Sequence, residues 1–295
     1  MKNKRSILIF SLATVFILAA CNNTSTHQNH TQHSNGGEQE NASAHQEHGK
    51  QGQAEHMNHQ KHGQEEKITV DTQWSSMIQK ADQAGEIRIV IKDKQGKPIP
   101  EFKINHEKKL HLIAVSEDLS YFDHLHPEWK GNGEFIVKTQ FPIGGKYRLY
   151  ADFIPQGGSQ VIAKHDLDIQ GETKNEPLEV EKTWTKAVDG KEITLQGGSN
   201  LKANRETQLT FSLKDERTKQ PITNLQQYLG AVGHVVIISD DQEQYLHVHP
   251  LEEKAQGPDA KFATTFPSKG VYKIWGQFQH QGKVITVSYV VNVVE

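Results

Sequence analysis

Two stretches of this chain carry the residue types and spacing most suited to chemistry, and they are copies of one pattern. His111 is followed, after twelve residues, by His124-Leu125-His126-Pro127. His234 is followed at the same interval by His247-Val248-His249-Pro250. Imidazole nitrogen is a ligand for borderline divalent ions, taking Zn²⁺ or Cu²⁺ at about 2.0–2.1 Å. The pattern therefore predicts two three-imidazole metal sites, His111, His124 and His126 in one and His234, His247 and His249 in the other, with Cu or Zn as the ion.

Convergence of three rings depends on strand parity. Side chains alternate along a strand, so His124 and His126 share a face about 7 Å apart. In an antiparallel hairpin, directly opposed residues point the same way. If His111 opposes His126 or His124, paired residue numbers sum to 237 or 235, and in the second copy to 483 or 481. Either odd register gathers all three rings, whereas an even one sets His111 against Leu125 and breaks the cluster. Pro127 and Pro250 stop the strand just after the last histidine, which places the site at a sheet end near solvent. Asp123 points away in this register, leaving the loop or a water to supply a fourth ligand. His165 and His280 are further candidates at unmatched positions.

The elements that must position these rings read as short strands. Glu86–Lys92 alternates, and Asp93–Pro98 is a turn; 111–116 and 120–126 form the histidine hairpin around an acidic turn. Residues 134–141, 146–153 and 161–169 complete the unit, and 171–177 has linker composition. Ile68 to Ala84 reads equally as a helical turn or an irregular edge strand. The order then repeats: 207–213 answers 86–92, and Phe266-Pro-Ser-Lys-Gly-Val-Tyr272 answers Phe141-Pro-Ile-Gly-Gly-Lys-Tyr147. Gly230-Ala-Val-Gly233 reads as an insert peculiar to the second copy. Collinear copies are an internal duplication. Many short strands with Gly/Pro corners predict an all-β protein of two tandem immunoglobulin-like or cupredoxin-like β-sandwich domains, at 67–172 and 177–295. Phe141, Tyr147, Tyr150 and Phe153, with Phe266, Tyr272, Trp275 and Phe278, are the expected core aromatics.

Composition narrows the function classes. A net charge of -3 and a pI near 6.6 give no basic field for nucleic acid. One cysteine, Cys21, leaves no internal disulfide, thiolate cluster or blue-copper centre, and three methionines are too few for a thioether copper(I) site. Residues 1–20 form a targeting segment, with Lys2, Lys4 and Arg5 before an apolar run. It ends Leu18-Ala19-Ala20-Cys21, similar to the lipobox of bacterial lipoproteins, so Cys21 is expected to carry the acyl chains of a membrane anchor. Residues 21–66 hold no core-forming side chains and are expected to be a disordered tail. Its histidines, His27, His30, His33, His45, His48, His56, His59 and His62, are spaced by three within each group, and a flexible chain so equipped can wrap an ion weakly.

Lipobox, His-rich leader and sandwich with a repeated His-x-His-Pro together resemble extracytoplasmic proteins of the FixH/YtkA-like kind. That resemblance implies copper handling on the outer face of a bacterial cell membrane, with a membrane metal transporter or an oxidase-assembly protein as partner. The residues predict a lipid-anchored, non-catalytic metal-binding protein. The other reading is an immunoglobulin-like protein-interaction module whose histidines are structural. An enzyme is not expected, because no Ser/His/Asp order, phosphate loop or carboxylate pair stands out.

Overall fold

The computed structural model describes residues 68–295; Cys21 and the eight tail histidines fall outside them. The described residues form strands and turns only, in two tandem sandwiches. The first is built from β1 (Val70–Ser76), β2 (Gly85–Asp93), β3 (Leu110–Ser116), β4 (Phe122–Leu125), β5 (Glu128–Gly131), β6 (Glu134–Thr139), β7 (Gly145–Phe153) and β8 (Val161–Ile169). The second comprises β9 (Thr185–Val188), β10 (Lys191–Gln196), β11 (Leu201–Lys202), β12 (Glu206–Asp215), β13 (His234–Ser239), β14 (Tyr245–Val248), β15 (Asp259–Thr265), β16 (Gly270–His280) and β17 (Lys283–Val294).

In each sandwich one sheet carries the histidine hairpin. In the first its order is β4-β3-β7-β8, facing β1-β2-β6-β5; in the second it is β11-β17-β16-β13-β14, facing β15-β12-β10-β9. The ambiguous segment before β2 is a strand: β1 pairs antiparallel with β2 along its length, with Trp74 opposite Ile89. Each sandwich has the corner of this fold in which a tyrosine hydroxyl turns back to an upstream carbonyl. Tyr147 donates to Ile143 O at 2.8 Å and Tyr272 to Ser268 O at 2.9 Å.

The stretch Gly230–Gly233 is not an insert. Tyr228 bridges Ala231 as Asn105 bridges Lys108, each six residues before the first hairpin histidine when counted from the turn's first residue. Both turns hold two successive residues in the left-handed region: His106 and Glu107 (φ 44° and 63°) in one, Leu229 and Gly230 (φ 52° and 78°) in the other. The sequences of the two turns share nothing, so their equivalence is a matter of backbone alone. Gly233 is needed for a different reason: a Cβ there would lie 2.7 Å from Gln277 O and 2.6 Å from the Phe278 ring.

Each sandwich has its own apolar core, and a third cluster joins them. All seven residues of β3 are buried because both of its faces are covered. Leu110, Leu112 and Ala114 enter the first core, whereas Ile113 and Val115 point outward. There they meet Val236, Ile238 and Trp275 of the second sandwich, together with Leu119 and Tyr150. The expected core aromatics are all buried, but Tyr150 and Trp275 belong to this interface and not to either core. The contact has approximate two-fold character. Tyr150 stacks on Tyr245 at 4.9 Å and Trp275 on Phe122 at 4.8 Å, matched residues exchanged between domains. Tyr150 also donates to Gln242 O at 2.7 Å, and Lys273 to Leu119 O at 2.8 Å.

Candidate metal centre between the two domains

The hairpins adopt the odd register. Ile113 pairs with His124 and Leu112 with Leu125, a sum of 237; Val236 pairs with His247, a sum of 483. In both copies the three rings therefore share a face, and it is the outward face that meets the other domain. Ring centres of His111, His124 and His126 lie 4.6–5.3 Å apart. One nitrogen from each falls within 4.8 Å of the other two, a spacing that could hold an ion. In the second copy His234 and His247 are 5.6 Å apart, and His247 and His249 5.4 Å.

The two triads also meet one another. His111 lies 5.2 Å from His247 and 6.1 Å from His234, ring to ring, and His124 lies 5.9 Å from His234. The cluster is thus one body, and it is buried more deeply than a sheet end near solvent would be. His111, His124 and His234 are 1%, 7% and 2% exposed, because each domain covers the other's histidine-bearing face. Pro127 does end the pairing, and beyond it the chain crosses to β5 in the opposite sheet. On the second domain's side, His247 and His249 line a cleft of about 570 Å³ shared with Gln160 and Ile162.

Three partners of the triads were not among the expected site residues. His106, from the turn before β3, reaches the second triad: it lies 4.7 Å from His234 and 4.3 Å from His249, and its Nε2 meets His249 Nδ1. Asp152 and Gln277 take equivalent places, opposite His111 in β7 and opposite His234 in β16. Each accepts a hydrogen bond from the middle histidine of the other domain. His247 Nδ1 donates to Asp152 Oδ2 at 2.9 Å, and His124 Nδ1 donates to Gln277 Oε1 at 2.8 Å. Gln160 donates to the second oxygen of Asp152 at 2.7 Å. A signal for the latter pair was present in the sequence: a polar residue stands five places after Tyr147 and Tyr272, within otherwise apolar runs. His106 lies outside the repeated spacing and had none.

These bonds decide which nitrogens are free. His111 Nε2 donates to Asn105 O at 2.9 Å, so its lone pair is on Nδ1. With Nδ1 of His124 occupied by Gln277, that ring presents the lone pair of Nε2. These two nitrogens face one another at 2.9 Å; in the second copy His234 Nδ1 and His247 Nε2 are 3.3 Å apart, and His234 Nε2 is buried without a partner, so one proton can bridge that pair. Nε2 of His126 is buried with no hydrogen-bond partner. Protonation would not relieve the crowding at neutral pH. Burial, then neighbouring imidazoles including His247, pulls His111 down to about 3; burial, then Lys108 and His247, pulls His126 to about 4. Burial, then His249 and His247, takes His106 to about 4. His124, His234 and His249 are lowered for the same first reason.

Of the nine described histidines, His165 and His280 stand apart. His165 stacks on Trp74 at 4.9 Å, and His280 pairs through Nε2 with Asn224 at 3.1 Å. Asp123 is on the other face of its strand, where it accepts from the Tyr121 hydroxyl at 3.3 Å and takes no part in the cluster.

One family model matches the chain twice, at residues 63–171 and 186–295, and is described as "Domain of unknown function (DUF8832)". The chain belongs to this family. The two matches are the two sandwiches, so a DUF8832 unit is one domain and this protein has a tandem pair. A search of curated proteins finds no match. Among solved structures, the chain is similar to FdeC, an Escherichia coli adhesin, at 15% identity and TM-score 0.26, covering 77% of this chain and 64% of that one. It is also similar to domains 4 and 5 of the S-layer protein SbsC, at 11% identity and TM-score 0.24 over 78% of this chain and 100% of that one. A two-domain fibronectin type III segment of chicken tenascin matches at 11% identity and TM-score 0.21, over 75% and 97%. Likeness at this level concerns sandwich architecture and says nothing of activity.

Proposed function

We propose that this DUF8832 protein holds a divalent late first-row ion, Cu²⁺ or Zn²⁺, in the imidazole cluster between its sandwiches. One observation carries the reading: the lone pairs of two buried imidazole nitrogens, His111 Nδ1 and His124 Nε2, face one another across 2.9 Å, each ring's other nitrogen being committed to Asn105 O or Gln277 Oε1. Two acceptors so close repel unless a cation lies between them. Nitrogens bound to one ion at about 2.0–2.1 Å stand roughly 3.3 Å apart in tetrahedral geometry and roughly 2.9 Å at a right angle. The unpartnered Nε2 of His126 fits the same demand, since a buried nitrogen without a partner costs roughly 1–3 kcal/mol that coordination would remove. Second bonds from ligating imidazoles to carboxylate, amide or carbonyl are also what a metal site requires.

In this reading the chain is a non-catalytic metal-binding lipoprotein, tethered to the outer face of a bacterial membrane through Cys21. Tail histidines gather ions weakly, and the interface cluster holds them. A membrane metal transporter or oxidase-assembly protein would receive or supply the ion. Titration of the full chain with Cu²⁺ and with Zn²⁺ tests this. Saturable binding beyond that of the tail is expected, and replacing His124 and His126 together with alanine should remove one equivalent while leaving the weak sites. Absence of saturable binding would defeat the reading.

The plainer alternative is a tandem immunoglobulin-like module that presents a protein-binding surface and uses its histidines structurally. The sandwich fold and the kinds of protein it resembles sit better with that alternative. The unpaired lone pairs and the unpartnered His126 are what favour the metal. The alternative requires that chelators leave partner binding unchanged and that the histidines stabilise the metal-free fold.

A further inference from the structure

The three imidazoles placed to share one ion, His111, His124 and His126, all belong to the first sandwich, yet the middle ring is oriented by the second. His124 Nδ1 donates to Oε1 of Gln277, on β16, at 2.8 Å. The other end of that amide is already engaged: Gln277 Nε2 donates at 3.2 Å to Oγ1 of Thr286, its cross-strand neighbour in β17. Gln277 is buried, and its strand is paired on both sides, by β13 and β17, so the accepting oxygen is held in place.

Without this acceptor the first triad has an easier arrangement. A proton moved from Nδ1 to Nε2 of His124 would point at His111 Nδ1, 2.9 Å away, and turn two opposed lone pairs into a hydrogen bond. The second copy has that choice open, because nothing holds a proton on His234 Nε2 and one on Nδ1 can bridge to His247 Nε2. In the first copy both outer ends are held, by Asn105 O at His111 Nε2 and by Gln277 Oε1 at His124 Nδ1. Asn105 is local to the first sandwich. Gln277 is not.

We propose that Gln277 is a positioning residue for the first domain's metal site: it keeps the proton of His124 on Nδ1, leaves Nε2 free to ligate, and so makes the docked second domain part of the site. The proposal rests on the metal-binding reading above and names what regulates that site. A ligating imidazole must present a lone pair, and which nitrogen does so is set by the bond the other one makes. Loss of such a partner weakens metal binding roughly 10–100-fold. Linkage makes the effect mutual, so an ion in the triad strengthens the contact between the domains by as much as that contact strengthens ion binding. Parting of the two sandwiches therefore loosens the ion without any change in its ligands.

Two measurements on the full chain test this together. Side-chain ¹H–¹⁵N correlation spectra of metal-free protein at pH 7.5 show which nitrogen of His124 carries the proton, the signal being assigned by its loss in His124→Ala. Zinc titration then gives the affinity of the site. In the wild type the proton should be on Nδ1. Gln277→Leu should move it to Nε2 and weaken zinc binding about 10–100-fold. Gln277→Glu, whose carboxylate can only accept, should keep the wild-type tautomer and the affinity. A proton on Nε2 in the wild type would overturn the proposal. So would a Gln277→Leu variant that changes tautomer without losing affinity, or loses affinity without changing tautomer, the latter being the mark of a merely structural role. Failure of Gln277→Glu to restore both would also overturn it. An Nδ1 proton in a wild type that binds no zinc at the triad would instead remove the metal-binding reading, and the positioning role with it.

Discussion

Acid should unfold the metal-free protein in a window set by its buried imidazoles. In an unfolded chain each histidine titrates near 6.5, whereas the folded cluster keeps His111 neutral down to about 3 and His126 down to about 4. Between those limits the unfolded chain binds more protons, so stability is full above pH 6.5 and falls as pH falls. At pH 5 each group held neutral costs about 2 kcal/mol, from 1.36 kcal/mol per pH unit. His111, His124, His126 and His234 together approach about 8 kcal/mol as an upper bound, comparable with the roughly 5–15 kcal/mol of a whole domain. His106 is half-buried, so water screens it and it adds less. The carboxylates barely enter this window. Asp118, held to about 2 against the opposing effect of its own burial by bonds from Ser116, Glu176 and Ser120, matters only at lower pH. Asp123, raised by burial, opposes the trend weakly. Urea unfolding of chelated protein followed by tryptophan fluorescence at pH 7.5, 6 and 5 is the assay. The midpoint should fall steeply, with most of the loss below pH 6.5, and added Zn²⁺ should raise it at pH 7.5. A midpoint constant from pH 7.5 to 5 would refute the claim that the cluster is neutral and buried.

Other perturbations separate the roles of single residues. His126→Leu removes a nitrogen that has no hydrogen-bond partner, so the metal-free protein should gain about 1 kcal/mol in urea while losing metal affinity; a loss of stability would favour structural histidines. Trp275→Ala empties the interface around Phe122 and should cost about 3–5 kcal/mol by denaturation, with weaker metal binding because the cluster spans both domains. Gly233→Ala sets a Cβ 2.7 Å from Gln277 O beside His234 and should cost about 1–3 kcal/mol, read as a lower thermal midpoint.

Much of this architecture is legible in the sequence because its period is short. A strand repeats every two residues, so the spacing of His111 to His126 said that an odd register would gather three rings and an even one would not, and the hairpin has the odd one. The sandwich corners at Tyr147 and Tyr272 and the buried aromatics likewise follow from a repeat read twice. What local pattern does not carry is which outer faces meet. In Leu110-His-Leu-Ile-Ala-Val, Ile113 and Val115 share the face of His111, and an apolar outer face indicates that something covers it. Nothing in the spacing says that the cover is the matched strand β13 of the second copy. The merger of two triads into one centre, and its burial, followed from that packing and were therefore missed. His106 was missed because it acts across domains, completing a triad 128 residues away in the chain if counted to His234. The matched turns were hidden as well, because Asn-His-Glu-Lys and Tyr-Leu-Gly-Ala share a backbone shape and no side chains.

The central claim is that a metal ion sits among the imidazoles between the two sandwiches. Crystals of the chain grown with Zn²⁺, with diffraction recorded on both sides of the zinc absorption edge, test it most directly. Anomalous peaks within about 2.0–2.1 Å of nitrogens of His111, His124 and His126 are the predicted result. Zinc found only at surface carboxylates, with the cluster nitrogens bonded to one another or to water, would contradict it.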